Sequence, residues 1–336
     1  MKYLIFSCLC LLTIYAISAI SYYVLNRKKE VKFNTQLLSK DIFNVLKGLF
    51  IVLIMLAHIG NQFGIRYLNP LGSWGVAVFL FCSGYGLQIS YSKGGLKKFW
   101  QKRILTAYLP YLLIEIVGYI FLYGKIGVKD IILDLLLISP LHPFGWYMQY
   151  IFYLYIAFYV ASLIFKKDAI RCTVVFLFAL CLFVFARSLF KQQIFTFTFG
   201  MLTAIYYKNI SKYFSNLWIC SVSILLGVSC LATKQLSLVR DSYWAIFYIC
   251  EALQTFFLML GAITFVSIIS NKVSKYLLKP FELVGIISYE VYLIHAFLMP
   301  EKISYISIAV FFVLSILIPA IVYVIKSFIR KQTQKL

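Results

Sequence analysis

Long apolar runs alternate with short polar segments along most of the chain, and the runs are close to one length. A helix rising about 1.5 Å per residue needs about 20 apolar residues to cross the hydrocarbon core of a bilayer. Runs of that size lie near residues 3–25, 42–60, 74–91, 104–122, 146–165, 172–190, 215–233, 243–269, 281–299 and 303–326, and a shorter one at 193–207 makes an eleventh. The pattern predicts an all-α polytopic membrane protein with about 10–11 transmembrane helices and no soluble domain. The segment IILDLLLISP (131–140) is too short to cross and carries Asp134, so it is expected to lie at the interface or to re-enter. No low-complexity linker and no internal repeat interrupts the series. The expected organisation is an N-terminal transmembrane helix with a basic linker over 1–30, a membrane domain over 40–326, and a basic cytoplasmic tail over 327–336.

Composition strengthens the membrane reading. Of 336 residues, 62% are hydrophobic and only 13% charged, which is more apolar surface than a soluble domain of this length hides. The net charge of +21 is therefore read as topology, and no nucleic-acid partner is expected. If eleven spans alternate, the segments 26–41, 92–103, 166–171, 208–214, 272–279 and 326–335 share one side and hold 22 of the 32 Lys and Arg residues. By the positive-inside rule that side is cytoplasmic. The expectation is a multi-pass protein of the plasma or inner membrane, with its C-terminus in the cytoplasm and membrane lipid around it. The first run is read as an uncleaved span, because a signal peptide cut near Ala19 leaves the basic NRKKEVK outside, against the charge bias. The eight cysteines lie mostly inside apolar runs with no C-x-x-C pair. They read as small buried hydrophobes, and with only three histidines present no metal site is expected.

Candidate chemistry begins with the second run. Lys47 and His58 are eleven positions apart, and eleven residues of α-helix turn through about 1100°, so the two side chains point within ~20° of each other. They are separated by roughly 16 Å along the axis, Lys47 toward the cytosol and His58 toward the exterior. A lysine near the end of a span is ordinarily a snorkelling anchor, which does not account for its alignment with a histidine. A cation and an imidazole about half a membrane apart suit a coenzyme A thioester: the cation holds phosphates, the thin arm runs along the helix, and a neutral imidazole takes the proton of an attacking hydroxyl. One common corridor is expected to hold both.

Other polar residues in the spans carry paired readings. Ser288, Tyr292 and His295 follow i, i+4, i+7 and share a helix face, for interhelical hydrogen bonds or for contacts to a donor or acceptor. Glu115, Glu251 and Glu290 lie inside spans, where an acid is costly. Glu115 or Glu251 is the candidate for orienting His58, or either is a buried partner for a cation. HPFGWYMQ (142–149), with His142 and Trp146, is an interfacial aromatic belt or a platform for a sugar ring. In SGYG (83–86) the glycines permit close helix packing or leave a gap for a thin arm. The cluster Lys93, Lys97, Lys98, Lys102 and Arg103 is mostly topological, with Arg103 as its specific candidate for a phosphate.

Taken in order, these blocks resemble the membrane-bound acyltransferase-3 family. LKGLFIVLIMLAH (46–58) is similar to the family's opening motif of a basic residue, ten intervening residues and a histidine. GSWGVAVFLFCSGYGL (72–87), FWQKRILTAYLPYLL (99–113), HPFGWYMQYIFYLYI (142–156) and ISYEVYLIH (287–295) resemble its later blocks, so that the likeness covers the whole of 40–326. The resemblance implies O-acyl transfer, with acetyl as the expected group, from cytoplasmic acyl-CoA to a hydroxyl of an exopolysaccharide, another cell-envelope glycan or its lipid-linked precursor. It implies His58 as the catalytic general base, Lys47 and Arg103 at the CoA end, and His295 and Tyr289 in the late signature. Ser288, Tyr292, His142 and Trp146 then join these two on the acceptor side or in support of it. Acyl-CoA, expected to be acetyl-CoA, is a co-substrate; no cofactor is permanently bound and no metal is implied. A homodimer stays open.

Three positions depart from the family pattern: Thr106 stands where a second arginine is frequent, Gln149 where many members have an acid, and Asn44 where an acid is common. The chain shows no appended hydrolase-like domain of the kind some members carry, which favours direct transfer by the membrane part; an acyl-histidine intermediate stays open. A non-enzymatic transporter or glycan flippase is the alternative, and it predicts inverted repeats or broken helices around a midplane site. A glycan polymerase is a third class, disfavoured because every outer loop is short.

Overall fold

In lipid an unpartnered backbone amide or carbonyl is costly, so each apolar run closes its hydrogen bonds within itself as a helix. The computed structural model describes residues 2–26, 33–122, 127–142, 144–186 and 188–333. Of the basic segments and blocks given above, Arg27, Lys28, Lys29, Lys32, Pro143 and Lys335 lie outside the described residues. Among the described residues there is no strand. The helices used below are α1 (Lys2–Asn26), α2 (Lys40–Gln62), α3 (Asn69–Gly94), α4 (Phe99–Ile120), α5 (Val128–Leu135), α6 (Trp146–Ile164), α7 (Asp168–Phe185), α8 (Thr196–Ile205), α9 (Leu217–Gln235), α10 (Trp244–Ser270), α11 (Lys275–Ile286), α12 (Ser288–Ile294) and α13 (Tyr305–Thr333).

Nine helices among the described residues, all of these except α5, α8, α11 and α12, are long and apolar enough to cross a bilayer. The protein is an all-helical, multi-pass membrane protein. Two of the eleven expected spans are not single long helices. The run at 193–207 forms only the ten residues of α8, about 15 Å of helix and half the thickness of a hydrocarbon core. The run at 281–299 is broken at Ile287 into α11 and α12. Pro280 inside α11 lacks a backbone donor, and the Ser288 hydroxyl donates to the Gly285 carbonyl at 2.8 Å, serving a group that the interrupted helix leaves exposed. The segment 131–140 does not cross: α5 has eight residues, and its buried Asp134 accepts hydrogen bonds from Tyr111 Oη (2.9 Å), Tyr119 Oη (2.6 Å) and the Leu141 amide (3.0 Å).

The core sits where α2, α3, α6 and α10 bury more than half their apolar lengths, while α1, α7 and α9 leave most of theirs facing outward. Ser39 starts α2 by accepting from the Ile42 amide at 3.3 Å. Two close crossings then fix the bundle. A Cβ at Gly48 would overlap the Phe281 carbonyl, and one at Gly285 the Asn44 carbonyl, so α2 and α11 touch backbone to backbone. Gly84 meets the Phe197 carbonyl and Gly200 the Phe81 carbonyl, which brings the short α8 directly onto α3. Small residues at such crossings are how membrane helices gain packing without a hydrophobic driving force.

Candidate active site

The end of α2 and the end of α12 bring two imidazoles together. His58 Nδ1 and His295 Nε2 are 2.8 Å apart, and the rings are nearly coplanar, with planes 7° apart. His295 is the residue that ends α12, and its Nδ1 lies 3.0 Å from the Val291 carbonyl. The tautomers of the neutral pair follow from these partners. A carbonyl only accepts, so His295 carries its proton on Nδ1 and offers the Nε2 lone pair. His58 must then donate from Nδ1, and its Nε2 holds a lone pair that neither bond uses. That nitrogen faces the first turn of α3, where a Cβ at Gly72 would lie 3.8 Å from it.

The segment between α5 and α6 holds this pair from above. The Phe144 ring lies over His58 with centroids 3.6 Å apart and planes 10° apart. Phe144 is itself held at both backbone groups: its amide donates to His142 Nδ1 at 3.1 Å, and its carbonyl accepts from Tyr292 Oη at 2.8 Å. His142 Nε2 in turn donates to the buried Glu115 carboxylate at 2.8 Å. A buried acid therefore does organise the site, at one remove. Neither Glu115 nor Glu251 touches His58: Glu115 pairs with His142, Glu251 accepts from Lys234 Nζ at 2.9 Å, and the group that orients His58 is His295.

Two cavities open on this core. The first, about 710 Å³, is lined by Lys40, Lys47 and Lys93 together with Gly86, Thr106 and Tyr155 among others. It lies toward the basic segments 26–41 and 92–103, because Lys40 and Lys93 belong to them. The second, about 430 Å³, is lined by His58, Asn61, Arg66, Trp146, Lys234 and Glu251 among others. A single corridor shared by Lys47 and His58 was expected, and this is corrected: the two residues line different cavities. The same helices wall both, with Val76 and Phe79 of α3, Trp146 and Tyr147 of α6, and Tyr292 and Tyr289 of α12 facing the second and first respectively. Tyr147 of the first cavity and Tyr292 of the second meet edge to face, with ring centroids 5.1 Å apart.

The remaining candidates divide between these spaces. Trp146 and Tyr292 line the second cavity. Ser288 and Tyr289 line the first, on the lysine side, and Tyr289 Oη donates to the Ala107 carbonyl at 2.6 Å. Arg103 lines neither; its guanidinium stands 5.3 Å from the Phe99 ring and 5.4 Å from that of Tyr155, behind the wall of the first cavity. His142 lines neither cavity and serves Phe144 and Glu115. Sequence reasoning missed Phe144, whose only signal was its place in HPFG, and it missed Lys40, Lys93 and Arg66 as lining residues. It also read the two glycines of SGYG alike. Gly84 is the packing contact, whereas a Cβ at Gly86 would meet nothing within 4 Å and faces the first cavity.

Outside the spans, Arg240 at the rim of the second cavity donates twice to Asp241 (2.8 and 3.1 Å), and these hydrogen bonds hold the Asp241 carboxyl below its ordinary range. Among the described residues no group of three His, Cys, Asp or Glu side chains is arranged to hold a metal ion.

No curated protein and no solved structure matches this chain. A family model does: the acyltransferase domain of the acyltransferase 3 family matches residues 41–325, which include the whole lining of the second cavity and all of the first cavity's lining except Leu38 and Lys40. The chain belongs to the acyltransferase 3 family and is an acyltransferase of the membrane.

Proposed function

We propose that this acyltransferase moves an acyl group, expected to be acetyl, from cytoplasmic acyl-CoA to a hydroxyl of a cell-surface or lipid-linked glycan, with His58 as general base. The observation that carries the reading is the spare lone pair of His58 Nε2, set by the bond to His295, on a residue that lines a cavity with Asn61, Arg66, Lys234 and Glu251. The donor enters the first cavity, where Lys40, Lys47 and Lys93 supply the positive charge that phosphates require. The acceptor occupies the second cavity. Its hydroxyl gives a proton to Nε2 as the oxygen attacks the thioester carbon; the C–S bond then breaks and CoA leaves as the thiolate, which takes up a proton. The imidazolium formed on His58 is stabilised by its Nδ1–H bond to His295. A thioester is already activated, so the protein supplies positioning and a base, the latter ordinarily giving about 10²–10⁴-fold.

On this reading the acyl group crosses from the first cavity to the second where Tyr147 of one touches Tyr292 of the other, and that contact parts during turnover. The broken pair α11–α12 is a feature that a transporter or flippase reading also asks for. The two readings separate in one experiment. Membranes from cells making the protein are incubated with radiolabelled acetyl-CoA, and label in the glycan fraction is compared with His58→Ala membranes. Loss of label with glycan still exported at normal levels supports base catalysis. Label that persists in the variant ends the proposal.

A further inference from the structure

The second cavity carries more positive charge than proton transfer at His58 uses. Arg66, Lys234 and Arg240 line it, against the single acid Glu251. If the spans alternate, only nine basic residues fall on this side of the membrane, and three of the nine gather in this one space. A cluster that runs against the topological bias needs a reason of its own. Two of the three cations are already matched: Lys234 by Glu251 at 2.9 Å, and Arg240 by Asp241. Among the described residues no ion pair engages Arg66. Arg66 is exposed in the turn between α2 and α3, and it also lines an adjoining cavity of about 380 Å³ with Tyr67, Leu231 and Gln235. It therefore stands where the two spaces meet.

We propose that the acceptor is an anionic glycan, in which a carboxylate or phosphate is bound by Arg66 at this junction while a hydroxyl of the same molecule reaches His58 Nε2. This rests on the reading of His58 as the base. A guanidinium presents paired donors that match the oxygens of either anion, and a concave site focuses its field. The amides of Asn61 and Gln235 add hydrogen-bonding groups for sugar hydroxyls, and the ring of Trp146 offers an apolar face. The adjoining cavity gives room for the next unit of a chain. The negative charge has two sources, an acidic or phosphorylated unit within the glycan, or the pyrophosphate that ties a precursor to its lipid carrier.

The test uses the membrane-bound protein and its own acceptor. Glycan labelled from [14C]acetyl-CoA in a His58-dependent manner is passed over an anion-exchange resin, before and after mild acid that cleaves sugar pyrophosphates. Retention both times places the charge in the glycan. Retention only before acid places it in the carrier linkage. Label that runs through unretained from the start overturns the inference while leaving base catalysis intact, whereas absence of His58-dependent label removes the underlying reading and this one with it. Unacylated glycan from His58→Ala cells is then titrated as acceptor. Arg66→Gln is expected to raise the acceptor KM at least tenfold, with the KM for acetyl-CoA and the maximal rate unchanged, and Arg66→Lys to recover part of the loss. An acceptor KM unmoved in Arg66→Gln also overturns it.

Discussion

A histidine works as a base only if one nitrogen keeps its lone pair and points it at the substrate. At His58 that choice is made by a second histidine, because His295 is committed to the Val291 carbonyl and accepts from His58 Nδ1. Removing the acceptor leaves a largely desolvated N–H without a partner and frees the ring to take the other tautomer. His295→Leu is therefore expected to lower kcat by about 10²-fold with little change in either KM, at the low end of what a positioned base contributes. His295→Gln, whose amide oxygen accepts, is expected to recover at least tenfold of that. Initial rates with each substrate varied in turn decide it; a glutamine variant as poor as the leucine variant would show that His295 acts through packing alone. The sequence pointed to His295 through its late signature but not to this role. The expected orienting group was a carboxylate, Glu115 or Glu251 of the three acids inside spans. Which of them reaches His58 depends on how α4, α10 and α12 pack against α2, and no spacing along one helix contains that. Glu115 does reach the site, through His142 and the Phe144 ring over His58.

Helices were legible where their physics is local. The nine long spans follow from apolar length alone, and Ser39 begins α2 as an N-cap residue should. The two exceptions share a cause. Both α8 and α11 are held by backbone contact at glycines, Gly200 on α3 and Gly285 on α2, so neither needs the length of an independent span. SGYG tests this distinction within one turn of α3. Gly84 touches the Phe197 backbone, which cannot give way as a flexible side chain does, whereas Gly86 has open space toward the lysine-lined cavity. Gly84→Leu is expected to separate α3 from α8 and cost more than the ~1–3 kcal/mol usual for overpacking, read as loss of monodisperse protein in detergent. Gly86→Leu is expected to fold normally and to raise the KM for acetyl-CoA several-fold by filling the cavity proposed for the donor. Equal behaviour of the two variants would mean that the glycines do not divide the work in this way.

The division of the interior into two cavities matters most at the scale of the whole molecule. Their linings come from opposite directions on shared helices: Lys40 and Lys93 belong to the basic segments at one end, and Arg66 and Arg240 to the short connections between long helices at the other. By the charge bias the first end is expected to face the cytoplasm. Acetyl-CoA carries several negative charges and does not cross a bilayer, so the side from which it is used reports the orientation of the first cavity. Sealed inside-out vesicles, with the basic end exposed, are expected to transfer label from external acetyl-CoA to glycan without detergent. Right-side-out vesicles are expected to do so only after permeabilisation. The proposed crossing at Tyr147 and Tyr292 adds a second expectation, since a contact that parts only for the acyl group would keep the bulky nucleotide on its own side. Radiolabelled CoA released during turnover should therefore stay outside inside-out vesicles while the acylated glycan accumulates within. CoA found inside with the glycan would mean that the whole donor crosses, and that the aromatic contact divides nothing.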